Sequence, residues 1–63
     1  MKSMTTKDFI RFLSKNGYTF VRMGGRHHIY GNNITTVPVP AHHKVMAPGT
    51  IRDICKQLSL KYP

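Results

Sequence analysis

The 63-residue sequence predicts a small α+β domain of two layers, in which two helices pack on one face of a three-stranded antiparallel sheet. Three observations support this prediction. Apolar residues recur at helical spacing near both ends of the chain, β-branched and aromatic residues fill the segments between them, and turn residues separate those segments. The predicted order is α-β-β-β-α. The length suits one domain, so we treat residues 1–63 as a single unit.

The first helix is predicted after a short lead that we expect to be flexible. Thr5 or Thr6 can cap it, and Thr5 with Asp8 has the spacing of a capping box. Gly17 follows at a position suited to the left-handed residue that ends a helix. One face carries an apolar stripe that we assign to the core: Phe9, Ile10, Phe12 and Leu13.

A β-hairpin is predicted next, because residues of strand composition at 18–23 and 28–30 flank Gly24-Gly25. Two adjacent glycines can both take the positive φ that a type I′ turn requires. A loop of these two residues would pair Arg22 with His27 across the ladder. The guanidinium would then lie beside the imidazole, where the pair could hold a phosphate.

A third strand is predicted over residues 34–37, after a turn at residues 31–33. Pro38 and Pro40 cannot donate to a ladder, so they end this strand or confine its last part to an edge. Residues 41–46 are expected to form a basic loop. Pro48 suits the first turn of a second helix, whose apolar stripe comprises Ile51, Ile54, Cys55 and Leu58.

The hairpin residues alternate between two faces, and each face mixes apolar with polar side chains, so periodicity alone leaves the core face open. We favour Phe20 and Ile29 pointing inward with Val37. This choice places His27 on the helix side of the sheet at the hairpin tip, and His28 on the opposite face.

The charge balance predicts an anionic partner. Ten Lys and Arg residues stand against Asp8 and Asp53, which gives a formal net charge of +8. The basic residues are dispersed along the chain, so we expect a positive folded surface that attracts nucleic acid or an acidic protein. No apolar run has the length of a membrane span or signal peptide, and no segment has the amphipathic pattern of a membrane-surface helix. We therefore expect a cytoplasmic protein. Cys55 is the lone cysteine and lies in an apolar helical stripe, so we expect it to be a buried structural thiol.

Two pairs of consecutive histidines, His27-His28 and His42-His43, raise the question of a metal site. Consecutive strand residues point to opposite faces, so His27 and His28 cannot both bind one ion. Only two acidic residues and one cysteine remain to complete a site. We therefore expect neither a metal nor a cofactor, and we expect His42 and His43 to be solvated loop residues or partner contacts.

Five short motifs resemble, in their order and spacing across nearly the whole chain, the HicA family of small bacterial toxins. They are Gly17-Tyr18, Val21-Arg22, Gly25-Arg26-His27-His28-Ile29-Tyr30, Thr36-Val37-Pro38 and Pro48-Gly49-Thr50-Ile51-Arg52-Asp53-Ile54. The resemblance implies a fold similar to a double-stranded-RNA-binding domain and a metal-independent ribonuclease activity on mRNA. It also implies a HicB-type antitoxin as partner. We expect the free toxin to be a monomer and the complex with the antitoxin to be a hetero-oligomer.

The family's Gly-Ser-His motif falls on Gly25-Arg26-His27, so the resemblance assigns the catalytic histidine to His27. Arg26 stands where the family usually has serine. The RNA-binding candidates are Arg22, Gly25, Arg26, His28 and Lys44.

RNA cleavage without a metal needs a base for the 2′-hydroxyl, an acid for the leaving oxygen and cations for the phosphorane. His27 can fill either proton-transfer role, because imidazole exchanges a proton near neutral pH. A second group is not evident, since His42 or His43 reaches the site only if their loop folds over the hairpin.

Two other functions fit the same composition. A non-catalytic RNA-binding module of the same fold would carry the same positive surface, and cleavage of RNA in EDTA would distinguish a nuclease from it. A basic domain that only binds an acidic protein would show no RNA affinity at low salt. His27 behind Gly25, together with the resemblance, favours the ribonuclease toxin.

Overall fold

A three-stranded antiparallel sheet and two helices form the body of the protein in the computed structural model, which describes residues 3–63. The elements of these residues are β1 (Met4–Thr5), α1 (Thr6–Lys15), β2 (Thr19–Gly24), β3 (His27–Gly31), β4 (Thr36–Val39), β5 (Val45–Met46) and α2 (Pro48–Gln57). The sheet has the strand order β2-β3-β4. The predicted fold class is confirmed. A second sheet, in which β1 pairs with β5, was not predicted.

Local signals set the ends of both helices. The Thr5 hydroxyl oxygen accepts a hydrogen bond from the Asp8 amide at 3.1 Å, which satisfies one of the free donors in the first turn of α1. Gly17 follows the helix with φ +86°, a conformation that favours glycine. Pro48 lies in the first turn of α2. These predicted boundaries are confirmed.

Both helices bury their apolar stripes against the same face of the three-stranded sheet. The sheet contributes Tyr30, Val37 and Val39 to the core. The helices, β5 and the turn after α2 contribute Phe9, Leu13, Met46, Ile51, Ile54, Cys55 and Leu58. Cys55 is buried as predicted, and burial raises the pKa of its thiol.

The assignment of residues to the two sheet faces was partly wrong. Val37 points inward as predicted, but its partner across the ladder is Tyr30, so Ile29 lies on the outer face opposite Pro38. Phe20 pairs with Tyr30 and lies on the helix side, where it remains 51% exposed. The error arises because both faces mix apolar and polar residues.

Two short segments differ from their predicted structure. β1 contains Met4, which was expected to belong to a flexible lead, and it pairs with Val45–Met46, which was expected to be loop. Strands of two residues are too short to show a periodic pattern. Of the rest of the predicted lead, Ser3 is exposed and outside any helix or strand, and Met1 and Lys2 lie outside the described residues.

The third strand begins two residues later than predicted. The Asn32 side-chain oxygen accepts hydrogen bonds from the amides of Ile34 and Thr35, each at 2.8 Å, and so extends the turn before β4. Pro38 lies within β4, which is an edge strand as the prolines required. Within residues 3–63, neither helix has the length and hydropathy that crossing a bilayer requires.

Candidate nucleic-acid interface

The β2–β3 hairpin turns at Gly25-Arg26, because Gly24 still pairs with His27. Gly25 has φ +62°, and it is the residue of this turn with a positive φ. A type II′ turn needs a positive φ only at its first central position, where glycine is favoured. The predicted Gly24-Gly25 loop of type I′ is therefore wrong by one residue, and the predicted pairing of Arg22 with His27 is wrong by two, because Arg22 pairs with Ile29.

A β-bulge at Val21 places Phe20 and Arg22 on opposite faces of the sheet. Phe20 pairs with Tyr30 and Arg22 pairs with Ile29, the next residue of β3, so Val21 is an extra residue without a ladder partner. In a regular strand Phe20 and Arg22 would share a face. Between the turn and the bulge the pairing is regular, so Arg22 lies on the face of Ile29 and His27, and the bulge places Phe20 on the opposite face.

Arg22 and His27 thus meet diagonally across the ladder. Diagonal neighbours on one face are about 7–8 Å apart, within reach of a long side chain. A Cβ atom placed on Gly24 would lie 3.5 Å from the Arg22 Nη1 atom, so the guanidinium extends over the residue that pairs with His27. The two candidates occupy one end of one face.

His27 lies on the outer face of the sheet, which corrects the prediction that it faces the helices. Tyr30 is buried against the helices, and strand alternation places His28 on that same side and His27 with Ile29 on the other. The prediction that His27 and His28 point to opposite faces is confirmed. His27 is exposed and His28 is half-buried.

The segment Ala41–Lys44, which we call the histidine loop, folds against the tip of the hairpin. The ring centroids of His27 and His42 lie 6.0 Å apart with an interplanar angle of 73°. The ring of His43 lies 4.1 Å from that of His42. His42 and His43 are exposed, as predicted, but His42 is also brought to His27.

Thr6 at the start of α1 holds the histidine loop in place. Its amide donates to the carbonyl oxygen of Lys44 at 2.9 Å, and its hydroxyl donates to the carbonyl oxygen of His43. Thr6 is the one buried polar residue among those described, with 5% of its surface exposed. Buried Thr6 therefore fixes the backbone of the histidine loop, which carries the exposed side chains of His42 and His43.

The sequence contained one indirect signal for the contact between His27 and His42. Val39 pairs with His28 at the end of the β3–β4 ladder, so the chain that leaves Val39 passes beside His27. This path follows from the antiparallel pairing of the third strand with the second. The spacing of the histidines in the sequence does not indicate it. His42 is the functional candidate that sequence reasoning left unassigned.

The cations near these histidines have no carboxylate partners. Arg22 and Arg26 are exposed at the hairpin, and Lys44 is exposed at the end of the histidine loop. Arg11 with Asp8, at 3.6 Å, is the ion pair found within residues 3–63. No group of three or more His, Cys, Asp or Glu side chains in this part of the chain has an arrangement that could hold a metal. The arrangement can place a phosphate between two imidazoles and beside two guanidinium groups.

Searches of curated proteins and of solved structures gave no match. The family model described as "HicA toxin of bacterial toxin-antitoxin" matches residues 6–60, which include both helices and every strand except β1. The chain therefore belongs to the HicA family, the toxins of a bacterial toxin–antitoxin system.

Proposed function

We propose that this HicA-family toxin is a metal-independent endoribonuclease that cleaves mRNA and thereby inhibits translation and growth. The proposal is carried by the contact between His27 and His42, whose ring centroids lie 6.0 Å apart on an exposed surface. Each catalytic nitrogen needs to come within about 3 Å of the oxygen it serves. Two imidazoles at this separation can therefore flank one phosphodiester.

The two rings divide the proton transfers between them. One imidazole takes the proton of the ribose 2′-hydroxyl, and the 2′-oxygen attacks the adjacent phosphorus. The bond from phosphorus to the 5′-oxygen breaks, and the other ring, which begins protonated, gives its proton to that oxygen. The products are a 2′,3′-cyclic phosphate and a 5′-hydroxyl. A proton exchanged with water through each ring restores the starting state.

Arg22 and Arg26 supply positive charge to the phosphorane. Planar guanidinium groups bind phosphate oxygens through paired hydrogen bonds, and charge fixed in advance at a reacting centre stabilises the transition state. The pairing of Arg22 with Ile29 places Arg22 on the face of His27, and Arg26 lies in the turn beside His27. Gly25 allows the turn that brings them together. Lys44 extends the phosphate-binding surface along the histidine loop.

The proposed inhibitor is an acidic antitoxin of the HicB type. A toxin of this family has an antitoxin, and a chain with a net charge of +8 binds an acidic partner favourably. The antitoxin covers the hairpin and the histidine loop, which excludes RNA from His27. The toxin is a cytoplasmic monomer when it is free, and it forms a hetero-oligomer with the antitoxin until stress releases it.

Single-turnover cleavage of RNA in EDTA tests the proposal. The wild-type protein should cleave, and His27→Ala and His42→Ala should each lower the rate by about 10²–10⁴. The double variant should be little slower than either single variant, because groups that act as a unit are not additive. His28→Ala, on the opposite face of β3, should keep the wild-type rate at saturating RNA.

Each other outcome points to a different conclusion. Wild-type cleavage by His27→Ala would refute the catalytic assignment, and loss in His27→Ala alone would leave a mechanism with one histidine. RNA binding without cleavage would indicate the non-catalytic RNA-binding module. Absence of RNA binding at low salt would leave binding of the antitoxin as the only function of the positive surface.

A further inference from the structure

A cleft of about 600 Å³ lies between the first turns of α1 and the histidine loop, on the helix side of the sheet. Clefts of several hundred Å³ are typical of sites that bind small molecules. His42 lines this cleft and also contacts His27. The cleft therefore adjoins the proposed site of cleavage, although it lies on the other side of the sheet from His27.

Aromatic and apolar side chains form the inner part of the cleft. Tyr30 and Ile10 line it, and so does His28, whose ring lies edge-on to Phe20 at 5.5 Å with an interplanar angle of 70°. Phe20 also lies 5.8 Å from the ring of Tyr30 and is 51% exposed. Tyr30 is buried, so the half-buried ring of His28 is the one in the lining that a nucleobase can stack on.

The outer part of the cleft is positively charged. Lys7, Arg11 and Lys44 line it and are exposed. The acidic residue of the lining, Asp8, lies 3.6 Å from Arg11 and so opposes only that cation. Inorganic phosphate would leave the aromatic side unused, and a purely apolar ligand would leave Lys7 and Lys44 unused. A nucleotide has the flat apolar ring and the anionic group that this lining matches.

We propose that the cleft binds one nucleotide of single-stranded RNA, with the base against His28 and the phosphate at Lys7 and Lys44. The proposal rests on the proposed ribonuclease function only where it names RNA as the source of the nucleotide. A neighbouring phosphate of the same strand then lies between His27 and His42. A base paired in a duplex cannot enter such a cleft, so the site selects unpaired RNA.

Adenosine 5′-monophosphate and ribose 5-phosphate are the probes, and NMR amide shifts of the labelled full chain report where they bind. Adenosine 5′-monophosphate should shift residues of the cleft, and it should bind more tightly than ribose 5-phosphate, which has no base. Because neither probe can be cleaved, the measurement is independent of catalysis. Equal affinity for the two probes, or shifts confined to the hairpin tip, would overturn the proposal.

Two pairs of variants separate the base from the phosphate. His28→Leu keeps the volume of the side chain but removes its aromatic ring. The affinity for adenosine 5′-monophosphate should therefore fall by roughly 5- to 150-fold, and the affinity for ribose 5-phosphate should be unchanged. Lys7→Glu should lower the affinity for both probes, because it removes a positive charge from the proposed phosphate site. Lys15→Glu makes the same charge change at the far end of α1, outside the cleft. It should lower the affinity for either probe by no more than a few-fold.

RNA cleavage provides a separate readout. His28→Leu should raise KM for a single-stranded substrate and leave kcat unchanged, because the lost contact is made equally in the ground and transition states. Unchanged nucleotide binding in this variant would refute the role of His28 in the cleft. Cleavage by His27→Ala at the wild-type rate would instead refute the ribonuclease mechanism, without affecting the binding result.

Discussion

Replacing Thr6 with valine should detach the histidine loop without removing a histidine. Valine has nearly the shape of threonine and a similar helix propensity, so the substitution mainly removes the hydroxyl that donates to the His43 carbonyl. The hydrogen bond from the Thr6 amide to Lys44 remains. One lost hydrogen bond costs about 0.5–1.5 kcal/mol of the free energy of unfolding. For a domain of this size, about 1 kcal/mol lowers Tm by roughly 4–8 °C.

The effect on cleavage should exceed the effect on stability. A displacement of about 1 Å in a catalytic group can lower the rate by roughly 10²-fold, so we expect Thr6→Val to lower kcat by about 10- to 100-fold. Thr6→Ser is the matched control, because it keeps the hydroxyl and loses one methyl group, which costs about 1 kcal/mol. The two variants should therefore melt at similar temperatures but differ in activity.

A direct measurement of the loop supports the kinetic comparison. Nuclear Overhauser effects between the ring protons of His27 and His42 should be present in the wild type and in Thr6→Ser, and lost in Thr6→Val. Equal activity of the two variants would refute the argument that Thr6 positions His42. Retention of the ring contacts in Thr6→Val would show that the remaining bond to Lys44 is sufficient to hold the loop.

Four further predictions test the surface and the core. RNA affinity, measured by fluorescence anisotropy, should fall steeply between low and physiological salt, because cations bind phosphates with release of counterions. Hydrogen exchange in the complex with the antitoxin should show protection of residues 22–30; unchanged exchange there would mean that inhibition uses another surface. Gly31→Ala should destabilise or unfold the protein, because its Cβ would lie 2.3 Å from the Thr35 carbonyl oxygen, whereas Gly49→Ala, with no atom within 4 Å, should not lower Tm. Burial raises the pKa of the Cys55 thiol above its ordinary value of 9.0, so the unfolded chain loses this proton first and stability should fall as pH rises past about 9; the urea midpoint at pH 8 and pH 10, compared with that of Cys55→Ala, isolates the effect.

The sequence predicts best the elements whose boundaries are set by residues close together in the chain. Thr5 with Asp8 sets the start of α1, Gly17 follows its end, and Pro48 begins α2. The two apolar stripes show 3.6-residue periodicity over several turns, which no strand pattern imitates. The fold class follows, because two amphipathic helices and three short strands have few ways to bury their apolar faces.

The register of the hairpin depends on contacts that no local pattern reports. Gly24-Gly25 and Gly25-Arg26 are both acceptable turns, and the bulge at Val21 changes the alternation of β2 partway along the strand. Moving the turn by one residue changes the partner of Arg22 from His27 to Ile29 and leaves Arg22 and His27 on one face. The wrong inward assignment of that face has a separate source, because both faces of the hairpin mix apolar and polar residues. The prediction nevertheless placed Arg22 near His27, because the observed register puts Arg22 opposite Ile29, which is the diagonal neighbour position of His27.

The contact between His27 and His42 could not be predicted from local sequence patterns, because it depends on residues far apart in the chain. Thr6 and His43 are separated by 37 positions in the chain, and their hydrogen bond fixes a loop whose own residues have no regular conformation. The sequence identified His42 as a basic loop residue. Its place beside His27 follows only from the path of the chain after β4.

The bulge at Val21 also bears on whether the protein can remain dispersed in solution. β2 is an outer strand of the sheet, and Phe20, Val21 and Met23 on it are 51%, 47% and 54% exposed. A regular strand of this kind would be a template for the strand of another molecule and for aggregation. The extra residue interrupts the even spacing of the free backbone groups, so an added strand cannot remain in register along the whole edge. Deleting Val21 would give a more regular edge, and with it a protein that precipitates more readily.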